Sequence, residues 1–271
     1  MTLAQKLTKL RIRPDILIVS VLLLLPISVA TYCFLPQYYR FTAPGEIVSV
    51  QEIGVNGSVS FCYVREGYTR NLYERWSLRR AMPDAQFVPA DASAKDEFSN
   101  VEEIGEQARN ETIRNAVSSA GEQMDDQVSD DELEQRLDTL VEETSNYYGD
   151  SLGLMLGIGL VEEEQHLDFS GNGRYVISGT GTMEADHTVG SVGGIRDKLR
   201  TAEKFGADYF FVPKDKEHFY YEGLSNEEEA ELVAQELHLS LQVVPVETME
   251  EALDFLRTLN HLDEENTANE T

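Results

Sequence analysis

The sequence has few cysteines and few basic residues for its length. Two cysteines occur in 271 residues, Cys33 inside an uncharged apolar run and Cys62 beyond it, which excludes a disulfide framework. Lysine and arginine number 22 against 49 aspartates and glutamates, so the formal net charge is −27. Because the phosphate backbone selects basic surfaces, we expect no nucleic acid as a partner.

Two motif classes are also missing. No G-x-x-x-x-G-K-[ST] sequence occurs, so the sequence has no P-loop and predicts no ATPase activity of its own. The five histidines are scattered and form no metal-ligand motif. We therefore expect neither a cofactor nor a metal ion.

The one long hydrophobic run lies near the N-terminus. Residues 16–35 are uncharged and follow a stub with four basic residues and no acid up to residue 13. Twenty residues of helix cover roughly 30 Å, the hydrocarbon thickness of a bilayer. The basic flank predicts a cytoplasmic N-terminus and an extracytoplasmic remainder. A cleaved signal peptide ending at Ser28-Val29-Ala30 is the alternative, but the run continues through Leu35, which favours an uncleaved anchor in the cell membrane.

Beyond Leu35 the chain holds 18 basic and 48 acidic residues, a formal charge of −30. Two strand-like segments, 46–53 and 58–65, flank Asn56-Gly57, a hairpin signal. Residues 97–145 are typical of acidic helices with little apolar content. From Tyr147 onward strands and helices alternate, which indicates an α/β (α+β) domain.

These patterns predict an order of segments and elements. The segments are 1–13, cytoplasmic stub; 14–35, transmembrane anchor; 36–90, juxtamembrane β unit; 91–146, acidic helical linker; 147–262, α/β domain; and 263–271, disordered tail. Within the α/β domain we expect helices over 151–161, 194–205, 225–237 and 247–259, and strands over 174–183, 208–213 and 241–246.

Ser151 is a candidate nucleophile. It stands in "GDSLG" before an apolar segment that covers every side of a helix, the pattern of a buried helix. The first turn of such a helix presents free backbone N–H groups that can stabilise an oxyanion. The competing interpretation is that Asp150 or Ser151 only caps the helix.

Lys198 is the candidate base. In "GGIRDKLRTAEKFG", Ile195, Lys198, Leu199, Ala202 and Phe205 share one helical face. Lys198 is thus the one charged residue predicted inside this apolar stripe. Burial lowers the pKa of an ammonium group, so a neutral lysine can accept the proton of a serine. The alternative is a lysine whose stem packs while its head stays in water.

These segments resemble the proteolytic domain of Lon-type Ser-Lys proteases. The likeness lies in "GDSLGLM" and "ISGTGTMEADHTVGSVGGIRDKLRTAEKFGADYFFVPKD", in that order. "LPQYYRFTAPGEIVSV" is similar to the same position in the membrane-anchored Lon-like proteases of Gram-positive bacteria, which usually carry a PDZ domain. The resemblance covers residues 147–258 well and residues 1–85 loosely.

The resemblance implies a serine endopeptidase of mixed α/β fold that acts on peptides or proteins without ATP. It assigns Ser151 as nucleophile, Lys198 as general base and Thr180 as the lysine's hydrogen-bond partner, with an oxyanion hole near Gly149–Ser151. Lon proteolytic domains form rings, so a homo-oligomer is a further implied partner.

The sequence departs from this family in three ways. The family motif G-P-S-A-G becomes G-D-S-L-G, which puts Asp150 beside the proposed oxyanion hole, where negative charge hinders catalysis unless it points away. Acidic helices replace the PDZ domain. The strand that usually leads to the serine is not evident in "RLDTLVEETSNYY".

Two rival functions follow from these departures. The first is a catalytically degenerate Lon-like module that is tethered to the membrane and binds or regulates other proteins. The second is a lipase or esterase, because "GDSL" is a signature of another hydrolase family and Asp215 and His218 mimic its D-x-x-H. That signature normally follows an apolar strand, whereas an acidic helical stretch precedes it here.

Overall fold

The described part of the chain, residues 13–122, 130–214 and 223–269, divides into two units in the computed structural model. The smaller unit contains the described residues up to Phe41 together with Gly67–Ala94. The larger unit contains Thr42–Glu66 and the described residues from Lys95 onward. The unit boundary therefore falls within the first two strands, β1 (Pro36–Ser49) and β2 (Ser60–Asn71).

The smaller unit begins with helix α1, Pro14–Phe34. Its 21 residues have a mean hydropathy of 2.5 and none is buried, so the helix is long and apolar enough to cross a membrane. Helix α2, Leu72–Ala81, starts where the Asn71 side chain accepts the N–H of Glu74 at 2.9 Å. Strand β3, Gln86–Pro89, is the neighbour of β1.

In the larger unit the strand order is β1-β2-β4-β5-β6. Strands β4 (Ile177–Gly179), β5 (Tyr209–Pro213) and β6 (Gln242–Val246) run parallel to one another, and β4 runs parallel to β2. A parallel sheet needs helices on both faces, which fits the sequence pattern. The predicted mixed α/β class and the N-terminal apolar helix are confirmed.

Helices cover both faces of this sheet. They are α3 (Ala94–Glu122), α4 (Asp130–Glu143), α5 (Gly153–Gln165), α6 (Ile195–Lys204), α7 (Asn226–Leu237) and α8 (Met249–Asn269). One core cluster unites α3, α5 and α8, and a second unites α6 and α7. Successive side chains of β5 point to opposite faces of the sheet, as in any strand. Phe211 packs in the first cluster, and Phe210 and Val212 pack in the second.

The predicted strands differ from the observed ones at two places. Strand β1 covers residues 36–49 instead of 46–53, and β2 covers 60–71 instead of 58–65. Val50–Ile53 is a 3-10 turn capped by Ser49. The strand expected over 174–183 shrinks to three residues. It ends because Gly181 turns away to donate its N–H to the carbonyl of Ser151 at 3.1 Å.

Helix α5 is buried on all sides from Gly153 to Glu162, as its sequence predicts. Glycines in α5 let residues of neighbouring elements pack directly against its backbone. A Cβ on Gly153 would lie 2.2 Å from Thr112 Oγ1, and one on Gly159 would lie 2.9 Å from a Val50 methyl group. The α5 backbone therefore touches both α3 and the 3-10 turn.

Helix α3 contributes to the same core. Its second half buries apolar or small residues at spacings that fit one helical face, each 6% exposed or less, among them Thr112, Ile113, Ala116, Val117 and Ala120. The segment predicted as an acidic linker therefore supplies one wall of the larger unit. The boundary at residue 147 stays a prediction.

This packing predicts unequal effects for two isoleucines of α3. Ile113 is fully buried, whereas Ile104 is 65% exposed. We expect Ile113→Ala to lower the free energy of unfolding by about 2–4 kcal/mol, since it leaves a cavity in the core. Ile104→Ala should change it by less than about 0.5 kcal/mol. Urea unfolding of the full chain in detergent measures both, and equal effects would contradict the burial of α3.

Candidate active site

Thr180 joins the two predicted catalytic segments. It follows β4 directly and is fully buried. Its hydroxyl accepts a hydrogen bond from Lys198 Nζ at 2.9 Å and lies 3.2 Å from the carbonyl oxygen of Ser151, to which it donates. The structure thus brings Ser151, Thr180 and Lys198 together at the carboxyl end of a parallel strand, where α/β proteins commonly place their sites.

Two further backbone bonds fix the serine segment. Gly181 donates to the carbonyl of Ser151 at 3.1 Å, and Leu154 donates to the carbonyl of Gly181 at 3.1 Å. Gly181 has φ +155°, and a Cβ there would lie 2.5 Å from a Val189 methyl group. Only glycine meets both conditions without displacing the backbone.

Lys198 lies in the first turns of α6 and is 2% exposed. Burial lowers the pKa of its ammonium group from 10.5 to about 8, because the charged form loses its hydration. The carboxyl groups of Asp150 and Glu66 act in the opposite direction and keep it from falling further, and Cys62 would do so only as a thiolate. A substantial neutral fraction therefore exists near pH 8, which is what a general base requires.

The apolar stripe of α6 differs from its prediction in two respects. Asp197 is also buried, at 6% exposed, while Phe205 is 49% exposed. Lys198 is thus not the one charged residue that this helix buries. The reason is that α6 is buried over more than one stripe, since Thr201 is covered as well. Asp197 is partnered by Arg200 at 3.4 Å, whereas Lys198 contacts a neutral hydroxyl.

Cys62 packs against the same helix, a contact that the sequence did not predict. Its thiol donates to the carbonyl oxygen of Lys198 at 3.5 Å. Burial raises the pKa of this thiol to about 12, so it remains neutral and supports α6 without adding charge. Cys33, the other cysteine, lies in α1.

The N–H groups before α5 are only partly free for an oxyanion. The Gly149 N–H donates to the carbonyl of Gly105 at 2.9 Å. The Asp150 carboxyl interacts with its own backbone N–H. Within the described residues, the N–H groups of Ser151 and Leu152 have no acceptor. The oxyanion hole predicted near Gly149–Ser151 stays a prediction, and the Gly149 N–H is not open to such an oxyanion in this structure.

Asp150 lies in a partly buried, acidic environment. Burial raises the pKa of its carboxyl group, and Glu184 and Glu111 raise it further, while its own N–H and Lys198 lower it. The carboxyl group is therefore close enough to Lys198 to influence its charge. The Ser151 hydroxyl makes no hydrogen bond with Lys198 in the described chain. Such pairs are often open without substrate and tighten when it binds.

Helix α3 holds the other side of the site. Thr112 Oγ1 accepts the N–H of Met183 at 2.7 Å, and Asn115 donates to the carbonyl of Met183 at 2.9 Å. These bonds fix the strand-like segment that follows Thr180. Sequence reasoning missed both residues, although the helical spacing of the buried α3 face was readable in the sequence.

A serine, a histidine and a glutamate also meet near this segment. His187 Nδ1 lies 2.7 Å from Ser119 Oγ, and His187 Nε2 lies 3.2 Å from a carboxylate oxygen of Glu122. Ser119 is 2% exposed, so its hydroxyl is closed to a peptide substrate. The cluster ties the turn over 184–188 to α3 and does not form a hydrolytic triad. Among the described residues, no group of three or more His, Cys, Asp and Glu is placed to hold a metal ion.

The esterase signature receives no support from the local fold. Helix α4 and a turn precede Ser151, and no strand occurs in the described residues just before it. Asp215 and His218 lie outside the described residues. No family model matches the chain, and no curated protein matches it.

The buried Lys198 predicts a pH-dependent cost in stability. The difference between 10.5 and about 8 corresponds to roughly 3 kcal/mol. Below pH 8 the group is charged in both folded and unfolded states, and the cost is complete. Between pH 8 and 10.5 only the unfolded state holds the proton, so wild-type stability rises with pH.

We therefore expect Lys198→Met to raise the free energy of unfolding at pH 7 by roughly 1–3 kcal/mol, after the loss of the Thr180 hydrogen bond. The difference in free energy of unfolding between Lys198→Met and the wild type should shrink towards pH 10. Lys204→Met, on the exposed end of α6, is the control and should show no such trend. Urea unfolding at several pH values measures this, and a pH-independent difference would contradict a depressed lysine pKa.

Proposed function

We propose that this protein is a membrane-anchored, extracytoplasmic serine endopeptidase of Lon-like type. Its substrates are secreted or membrane proteins or peptides, and it needs no ATP. The observation that carries the proposal is the buried Lys198, which shares Thr180 with the backbone of Ser151. A buried lysine with a lowered pKa destabilises the fold, and such groups are common at functional sites. Here the lysine could accept the proton of the nearby serine.

In the proposed mechanism, neutral Lys198 takes the proton of the Ser151 hydroxyl as its oxygen attacks the substrate carbonyl. Thr180 keeps Nζ in place through its hydrogen bond. The N–H groups of Ser151 and Leu152, at the start of the fully buried α5, stabilise the oxyanion. Protonated Lys198 then gives its proton to the leaving amine. Water releases the acyl group from Ser151 with Lys198 again acting as base.

The membrane anchor follows from α1. Its 21 residues have a mean hydropathy of 2.5 and match a bilayer in length, and the basic N-terminal flank predicts a cytoplasmic N-terminus. The candidate active site then faces the outside of the cell membrane.

A degenerate, non-catalytic module is the second candidate, and two observations favour it. Asp150 places a carboxyl group at the N–H groups that a Lon-like enzyme uses for the oxyanion, and the Gly149 N–H is already bonded. Both features weaken stabilisation of negative charge. A fluorophosphonate probe separates the candidates, because only an activated Ser151 becomes labelled.

The proposal predicts loss of hydrolysis in either dyad variant. We expect Ser151→Ala and Lys198→Ala in the full chain to reduce cleavage of an unstructured protein by about 10³-fold or more. Ser145→Ala and Lys204→Ala change exposed residues of the same types and should leave cleavage unchanged. Cleavage that survives Lys198→Ala would remove Lys198 as the base, and no cleavage or labelling of the wild type would favour the non-catalytic module.

The pKa of Lys198 sets the pH dependence. Since the base acts when deprotonated, kcat/KM should rise with pH through about 8 and level off above it. Asp150→Asn removes a carboxylate that raises this pKa, so the midpoint should move to lower pH, with cleavage at pH 7 increased roughly two- to fivefold. Glu142→Gln, an exposed acid at the end of α4, is the control. A midpoint that stays in place in Asp150→Asn would show that Asp150 does not act on Lys198.

A further inference from the structure

Helix α2 concentrates positive charge in an acidic protein. Arg75, Arg79 and Arg80 lie within six residues, and Glu74, the acid of this helix, is bound by Arg70 at 2.6 Å. In the described part of the chain, these three arginines have no carboxylate partner. Most other described arginines do have one, at distances of 2.5–3.9 Å. With 49 acids available in the chain, three unpaired guanidinium groups on one helix indicate a site for an external anion.

Aromatic rings hold these guanidinium groups in place. Arg75 stacks over Tyr39 at 4.0 Å from the ring centroid, and over Phe87 at 5.5 Å. Arg79 lies 5.2 Å from the same Phe87 ring. Stacking on ring faces leaves the N–H edges of the guanidinium groups available to oxygen acceptors.

The same helix carries exposed aromatic side chains beside the end of α1. Tyr73 is 48% exposed and Trp76 58% exposed. Tyr73 connects the two helices, since its ring centroid lies 5.4 Å from that of Phe34, the last residue of α1. Tryptophan and tyrosine in this position are typical of the membrane–water interface.

A groove of about 460 Å³ opens between α1 and α2. Its lining is Cys33, Leu72, Tyr73, Arg75, Trp76 and Arg79. The wall is thus apolar and aromatic, with two guanidinium groups. Cys33 precedes the last residue of α1, so the groove lies at the level where the hydrocarbon of a bilayer meets its headgroups.

We propose that this groove binds an anionic phospholipid of the outer leaflet. The acyl chain lies against Cys33, Leu72 and Trp76, and the phosphate accepts hydrogen bonds from Arg75 and Arg79. Charge complementarity and position argue for this occupant, because an anion with an apolar chain is what the end of a membrane helix meets. The inference rests on the membrane anchorage in the proposed function, and not on its chemistry.

Trp76 provides the measurement because it is the one tryptophan of the chain. The full chain is reconstituted into two kinds of vesicle with the same fraction of phosphatidylglycerol in phosphatidylcholine. In one kind only the phosphatidylglycerol carries brominated acyl chains, and in the other an equal mole fraction of phosphatidylcholine carries them. Bromine quenches tryptophan at close range, so the ratio of the two quenching values reports which lipid lies beside Trp76.

We expect quenching by brominated phosphatidylglycerol to exceed that by brominated phosphatidylcholine about twofold in the wild type. Arg75→Gln/Arg79→Gln should bring the ratio to about one, since the phosphate loses both partners. Salt at about 1 M should reduce the wild-type excess only in part, because a held phosphate is screened less than a diffuse one. Arg196→Gln/Arg257→Gln, at two carboxylate-paired surface arginines, should keep the wild-type ratio.

Equal quenching in the two vesicles, or an excess that survives in Arg75→Gln/Arg79→Gln, would overturn the proposal. Circular dichroism of the variants establishes that they fold. The Ser151→Ala chain should give the wild-type ratio, so a failed peptidase assay does not affect the result. Vesicle flotation tests the membrane anchor separately, and a chain that does not float would remove the premise.

Discussion

The larger unit depends on the complete burial of α5. This helix has no exposed face from Gly153 to Glu162, so every neighbouring element must pack against it. Its glycines replace side chains with direct backbone contact at α3 and at the 3-10 turn. At its far end, the buried Glu162 carboxylate accepts the N–H groups of Ser58 and Phe169, at 2.7 and 2.8 Å. A helix held at both ends fixes the position of its first turn and of Ser151, two residues before it.

The candidate site combines this rigid turn with a destabilising group. Lys198 is buried against a neutral hydroxyl, and desolvation lowers its pKa by more than the nearby carboxyl groups of Asp150 and Glu66 raise it. Buried ammonium groups usually gain an acidic partner, as they otherwise cost several kcal/mol. Asp150 is near enough to influence Lys198 but is itself partly desolvated. The charge of the site therefore depends on how these two groups influence each other.

Charge is distributed unevenly along the chain. Acidic residues dominate beyond the apolar helix, whereas α2 carries three arginines that have no carboxylate partner among the described residues. An acidic protein is repelled by an anionic membrane over about a Debye length. In the proposed membrane-anchored protein, the arginines of α2 beside the end of α1 offset that repulsion.

The elements with strong periodicity could be predicted from the sequence. The apolar run of α1, the all-round apolar α5 and the order of strands and helices after Tyr147 were readable, because hydrophobic period and length depend on local sequence. Burial of Lys198 was predicted from its place between Ile195 and Ala202. Only the tertiary structure decided the rest. The role of α3 as a wall of the site, the Cys62 contact beneath Lys198 and the occupied Gly149 N–H involve residues tens of positions apart, and no local pattern specifies which distant backbone group fills a hydrogen bond.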